Sequence, residues 1–183
     1  MAILAALKST YRRRGTRAKL CARARRPRDP VTPASRPEDG TQKTAAKSLS
    51  YDHLEVGQSC EIERELSAAD IDAFAAASGD HNPLHVDADF AREAGFPDRI
   101  AHGMLLASWV SAALAEELPG RGTVYLRQSL EFRQVAVPGD RLLVRLRVTE
   151  KKRRGRVILD CHIVVADGGK EILRGSAEVI APA

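Results

Sequence analysis

The stretch from His102 to Leu118 constrains this chain more than any other. From Met104 to Leu114 it is apolar on nearly every side, broken only by Ser108 and Ser111. A helix apolar all round is expected to be buried, and Glu116 and Glu117 mark its return to the surface. Beyond Gly122 the period changes. Val144, Leu146 and Val148 alternate with Arg145, Arg147 and Thr149, and Val157, Leu159, Cys161, Ile163 and Val165 alternate in the same way. A period of two means strands. Pro138-Gly139-Asp140 and Asp167-Gly168-Gly169 supply turns, and Ile172 to Ile180 reads as a last strand. One buried helix followed by long antiparallel strands predicts an α+β domain whose curved sheet wraps that helix.

Upstream, a short strand is expected around Gln58–Arg64. Ser67 with Asp70 three residues later matches a capping box, and Ile71, Phe74 and Ala75 follow as an apolar stripe at helical spacing. That helix should stop at Gly79, with Asp80 to Pro83 as a turn. A second short helix is expected from Asp87 to Ala94, its aspartates Asp87 and Asp89 complementing the positive helix start and Gly95 ending it.

Charge divides the 183 residues into two kinds of polypeptide. The whole chain is +5, but residues 1–48 carry 13 Lys/Arg against 3 Asp/Glu, and residues 49–183 carry 16 against 21. The first part has no acidic residue before Asp29 and then places Pro27, Pro30, Pro33 and Pro37 among small polar residues, which cannot build a core. Residues 1–48 therefore read as a disordered basic tail with a Pro-rich linker, and 49–183 as the single folded domain. The apolar stretch precedes the charge, opposite to a secretory signal. An Arg-rich, acid-free start is also the character of a mitochondrial presequence. The expected compartment is cytoplasmic, with the mitochondrial matrix as the alternative.

Several function classes drop out. No run approaches the ~18 apolar residues of a membrane span. Cys21, Cys60 and Cys161 are far apart, without zinc-ligand spacing or a disulfide framework, so no metal is expected. Four Phe, three Tyr and one Trp leave little for base stacking, and the tail holds only Tyr11, which argues against nucleic acid.

One loop carries candidate chemistry: Asp80-His81-Asn82-Pro83-Leu84-His85. Taken singly, Asp80 reads as an Asx-turn aspartate and His85 as a solvated loop histidine. Asn82 and Pro83 make the turn tight enough to aim both side chains at one point. Seventeen residues after His85, the His102-Gly103-Met104 segment starts the apolar helix, where N–H groups are unpaired at the positive end. Gly103 admits a ligand atom close to that backbone. A carboxylate, an imidazole and a free N–H are what activating a water and holding an oxyanion require.

Ser78–Ala91, which reads SGDHNPLHVDADFA, and Phe96–Ser108, which reads FPDRIAHGMLLAS, closely resemble the R-specific enoyl-CoA hydratases of the MaoC-like family. The likeness runs from about Leu54 to Val179 and leaves out the tail. It implies the hot-dog fold, an antiparallel sheet around a long helix, and a homodimer with sites near the subunit interface. It implies Asp80 and His85 as the catalytic pair, Asn82 shaping the loop, the Gly103 amide polarising the thioester carbonyl, and Ser111 in a supporting place. A serine bonded to its own helix is the plainer reading of Ser111. His102 is read as a packing or loop-anchoring residue rather than a proton carrier.

The activity so implied is reversible hydration of trans-2-enoyl-CoA to R-3-hydroxyacyl-CoA in fatty-acid or polyhydroxyalkanoate metabolism, with CoA thioester as substrate and no cofactor. Dehydration of R-3-hydroxyacyl groups on acyl carrier protein is the same chemistry reversed. A non-catalytic acyl-CoA-binding subunit is the rival from another class. The run Lys151 to Arg156 reads first as a solvated hairpin. Its sharper reading is a docking patch, with Lys152 and Arg154 on CoA phosphates or an acidic acyl carrier protein.

Overall fold

A computed structural model describes residues 48–183, so the reading of 1–48 as a tail falls outside the described residues save Ser48. Strand β1 (Ser59–Glu65) leads into α1 (Ala68–Ser78). Both bonds of the capping box are present: the Asp70 N–H donates to Ser67 Oγ at 3.1 Å and the Ser67 N–H to Asp70 Oδ2 at 2.9 Å. Ile71 and Ala75 are buried, and Gly79 closes the helix with φ 78°, a left-handed conformation suited to glycine.

The next segment differs from the single helix expected over Asp87–Ala94. Two short helices form, α2 (Pro83–Val86) and α3 (Ala88–Glu93). Asn82 caps the first and Pro83 fits its opening turn. Asp87, in extended backbone, breaks the run and caps the second by accepting from Asp89 and Phe90 N–H. Asp87 is thus a cap rather than only a dipole partner, and Asp89 pairs with Arg92 at 2.8 Å.

The long helix α4 (Gly103–Glu116) buries Leu105, Leu106, Trp109, Val110, Ala113 and Leu114. Burial is one-sided within the protomer, a correction to the all-round burial expected. Met104 and Ser108 are exposed, and Ala107 and Ser111 half-buried. The apolar character of that second face comes from a cleft described below, not from the core.

Four further strands follow: β2 (Val124–Phe132), β3 (Arg141–Lys152), β4 (Arg156–Val165) and β5 (Glu171–Ile180). They make one antiparallel sheet with β1, in the order β1-β3-β4-β5-β2. The inner face presents Val144, Leu146 and Val148 of β3 and Val157, Leu159, Cys161 and Ile163 of β4, all buried in one core with α4. Burying each such aliphatic side chain stabilises by about 1.5–3 kcal/mol. Register shifts on β2, β3 and β5 bend the sheet around the helix. At Gly175 a Cβ would lie 1.9 Å from Ser129 O, so only glycine lets β5 and β2 approach there.

The outer face is charged. Glu61, Arg145, His162, Arg174 and Glu131 form one row across all five strands. Arg145 bonds Glu61 at 2.5 Å and Arg174 bonds Glu131 at 2.8 Å. Exposed pairs of this kind add little to stability, because water screens them. Among the described residues no helix is long and apolar enough to cross a membrane.

Candidate active site

The Asp80–His85 loop is built by local hydrogen bonds. The Asn82 N–H donates to Asp80 Oδ1 at 3.2 Å, an Asx turn that leaves Oδ2 free. The Leu84 N–H donates to Asn82 Oδ1 at 3.1 Å and the His85 N–H to Asn82 O at 2.8 Å. Both bonds place Asn82 at the turn between Asp80 and His85. His85 Nε2 then faces Asp80 Oδ2 at 4.0 Å. That gap is too long for a direct hydrogen bond but suits one water at ~2.8 Å from both.

The state of His85 follows from its other nitrogen. Nδ1 lies 2.8 Å from the Ile100 carbonyl, which can only accept, so Nδ1 carries the proton. In the neutral ring Nε2 is then the unprotonated nitrogen, and it points at Asp80. Ile100 is itself braced: its N–H donates to Leu84 O at 3.0 Å, and the neighbouring Ala101 N–H donates to Ala136 O at 2.8 Å. Arg99 Nη1 ties the same segment to Asp72 of α1 at 2.6 Å. The His85 side chain is 12% exposed and that of Asp80 54%, so Asp80 reaches solvent while His85 is largely covered.

Across from the pair lies the start of α4. Its N-cap residue, His102, gives no side-chain cap. Ser67, Asn82 and Asp87 cap the other three α-helices of the described residues. The Gly103 N–H therefore has no side-chain partner at the helix start, and Gly103 lines a 360 Å³ cleft together with Phe74, Asp80, His102 and Phe132 among others. A Cβ on residue 103 would lie 2.8 Å from Cε1 of the half-exposed Phe132, so a larger residue would have to displace that ring.

Phe74 and Met104 also line an adjoining hollow of 440 Å³ that runs along α4 to Ser111 and meets Tyr125 and Gln128 of β2. Ser108 donates to Leu105 O at 2.6 Å, whereas Ser111 makes no side-chain hydrogen bond among the described residues. Ser111 thus borders the hollow, one cleft removed from Asp80 and His85. Partial burial pushes the Tyr125 phenol up to about 12, so it stays a donor, and it bonds Gln128.

Lys152 and Arg154 are not brought to this cleft within the protomer. Their hairpin joins Tyr51, whose hydroxyl donates to Lys152 O at 2.9 Å, and Leu49 of the same segment bonds Pro119, beyond the far end of α4. The length of that helix separates the ends by about 20 Å. Lys151 is spent on the Leu54 carbonyl at 2.8 Å and Arg156 on Glu178 at 3.3 Å. Arg154 holds a left-handed φ of 63°.

His102, read from sequence only as an anchor, stands nearer the chemistry than that reading implied. Its ring stacks on His85 with centroids 3.8 Å apart, and its Nε2 donates to the Asp80 main-chain carbonyl at 3.0 Å. The partners are 22 residues apart in sequence, so no local spacing reveals the link. Asp80, His85 and His102 each offer a ligand atom within 4.8 Å of the others. They fit a metal poorly. Stacked imidazoles project their lone pairs side by side rather than to one centre, and each ring already gives one nitrogen to a carbonyl. Burial pushes the Cys161 thiol up to about 12 and the Cys60 thiol to about 11, which keeps both from serving as nucleophiles near neutral pH.

A long helix wrapped by one antiparallel sheet is the hot-dog fold. The chain belongs to the MaoC-like domain family, whose model matches residues 53–164, and it is an enzyme of that hydratase–dehydratase class. It is 39% identical over 134 residues to the (R)-specific enoyl-CoA hydratase of Aeromonas caviae, covering 73% of this chain and 100% of that protein. It is 38% identical to the mitochondrial 3-hydroxyacyl-[acyl-carrier-protein] dehydratase of Arabidopsis thaliana, covering 68% of this chain and 77% of the relative. Among solved structures, the unliganded R-hydratase of Pseudomonas aeruginosa matches with a TM-score of 0.71 at 44% identity, covering 74% of this chain and 86% of that one.

Proposed function

We infer that this chain catalyses reversible syn addition of water to trans-2-enoyl-CoA, giving R-3-hydroxyacyl-CoA. The observation that carries the reading is the bare Nε2 of His85 facing Asp80 Oδ2 across 4.0 Å, beside the uncapped Gly103 N–H. A water held between the two loses a proton to His85 as its oxygen bonds C3. The π electrons move toward C2 and the thioester oxygen, and a proton then reaches C2 from the Asp80–His85 pair. Gly103 N–H and the helix dipole hold the enolate oxygen meanwhile. Asp80 orients the water, and none of these steps draws on a metal or redox cofactor.

The acyl carrier form of the substrate is the second reading, supported by the Arabidopsis relative's name. A homodimer is the proposed assembly. The exposed Met104, Val124, Leu126 and Phe132 give a second copy an apolar surface beside the β2 edge. Such a copy is also what could bring a Lys152–Arg154 hairpin toward an anionic substrate handle. Neutralising both residues should then flatten the salt dependence of KM, and an unchanged salt profile removes them from binding. The compartment is proposed as cytoplasmic, or the mitochondrial matrix if the N-terminus is a presequence.

The test is to give the full chain crotonyl-CoA and follow loss of enoyl-thioester absorbance, then determine the product's configuration. Fast loss yielding the R alcohol supports the reading. Turnover only with carrier-linked thioester favours the second reading, and tight binding without turnover favours a non-catalytic subunit.

A further inference from the structure

His102 is the one buried polar side chain among the described residues, 2% exposed, and its Nδ1 has no hydrogen-bond partner there. Leaving a buried polar atom unmatched is unfavourable, so a residue with that defect invites a reason for its presence. Its two other contacts supply one. Nε2–H holds the Asp80 carbonyl at 3.0 Å, and the ring face lies 3.8 Å from the His85 ring at 30°. Phe74 of α1 also tilts against the ring, its centroid 5.0 Å away. His102 also directly precedes Gly103, so one residue touches the His85 ring and the Asp80 backbone and is bonded to Gly103.

We propose that His102 is a positioning residue that works as an Nε2–H imidazole: it fixes the Asp80 backbone through a hydrogen bond and supports His85 through its ring face. The proposal rests on the hydratase reading above. When His85 takes a proton from water it becomes a cation lying on a neutral ring, an attraction of the cation–π kind. A proton on Nδ1 of His102 would instead be a buried donor with no acceptor, set against that cation. The bare Nδ1 is thus the side of the ring that can be left unmatched at least cost. The titratable groups facing His85 are Asp80 of its own loop and His102 of the α4 start, and the Ile100 carbonyl fixes its far nitrogen.

Two substitutions separate the contacts. His102→Gln keeps an N–H near the Asp80 carbonyl and removes the ring, while His102→Phe keeps a ring and removes the donor. With the ring gone, protonated His85 loses support, so in His102→Gln the acid limb of the kcat/KM profile should move to lower pH and kcat should fall about tenfold. With the donor gone, the Asp80 backbone shifts, and His102→Phe should lose up to about 100-fold in kcat with the acid limb in place. KM should stay within about threefold in both. Equal losses with no movement of the acid limb in either variant would mean a merely structural role and overturn the proposal, as would near-wild-type kcat in both.

A measurement on the unaltered full chain keeps the idea testable if neither variant folds. Imidazole nitrogen-15 shifts should report His102 with its proton on Nε2 across the working pH range, and a proton on Nδ1 overturns the proposal. This readout needs no turnover. An inactive wild type with the expected tautomer would therefore sink the hydratase reading and leave the geometry standing, whereas an active wild type with the other tautomer would sink the proposal alone.

Discussion

The starts of α1 and α4 are opposites in the same molecule. At α1, Ser67 and Asp70 satisfy two backbone donors reciprocally, and the helix opening offers nothing to a ligand. At α4, the longer helix, a histidine occupies the N-cap, gives no cap, and turns its side chain back to the catalytic loop. A cap on an exposed helix is worth about 1 kcal/mol. Forgoing it at α4 leaves the Gly103 N–H without a side-chain partner, and the proposed mechanism uses that donor to hold the developing negative charge. The lesson is that an uncapped helix start facing a carboxylate and an imidazole is a chemical feature, whereas a capped one is a structural feature.

The comparison breaks most sharply at the acid–base pair. Asp80→Ala and His85→Ala should each cut turnover by about 10²–10⁴ while the melting temperature stays near wild type, since neither side chain is in the core. A rate within tenfold of wild type for either one contradicts the assignment. Gly103→Ala comes next. Its Cβ would press on Phe132 from 2.8 Å and crowd the amide, so the rate should fall by about 10²–10³. Adding Phe132→Leu relieves the clash, and partial return of activity in the double variant would distinguish crowding from loss of fold. Ser67→Ala is the opposite case: destabilisation of about 1 kcal/mol, seen as a lower Tm, with kcat unchanged. A rate loss there would mean that the two helix starts are not as separate in role as their geometry says.

Much of the fold is legible in the residues because period and burial coincide in them. The α1 box, its Gly79 stop and the alternation of β3 and β4 each encode an element whose one face is buried. Where burial and period part company, the reading weakens. β2 is an edge strand in which Val124, Leu126, Leu130 and Phe132 alternate with Arg127, Ser129 and Glu131, yet it is exposed along most of its length, so its period does not report burial within the protomer. α4 was expected to be buried all round because its second face is apolar, yet that face borders the cleft at Met104, Ala107 and Ser111. A cleft for an apolar ligand and a core use the same side chains, and sequence does not tell them apart.

The site divides in the same way. Asp80, Asn82 and His85 lie within six residues and their turn chemistry is local, so the loop is readable. The tautomer of His85 depends on Ile100 and the place of His102 depends on Asp80, both across folded chain. Phe74 matched the apolar stripe of α1 but tilts toward His102 at the cleft, which only the packing of α1 on α4 reveals. Ser111 and the Lys152–Arg154 hairpin are placed by the fold away from the Asp–His pair, at the adjoining hollow and at the opposite end of α4.

The most direct test of the central claim reads the Gly103 amide itself. Carbonyl-labelled crotonyl-CoA would be bound to the His85→Ala protein, which should hold it without turnover, and the thioester C=O stretch recorded by difference infrared spectroscopy. The account predicts a shift to lower frequency than in free substrate, reduced when Gly103→Ala is added. An unshifted band in the bound complex would show that the open start of α4 does not polarise the thioester, and would contradict the account.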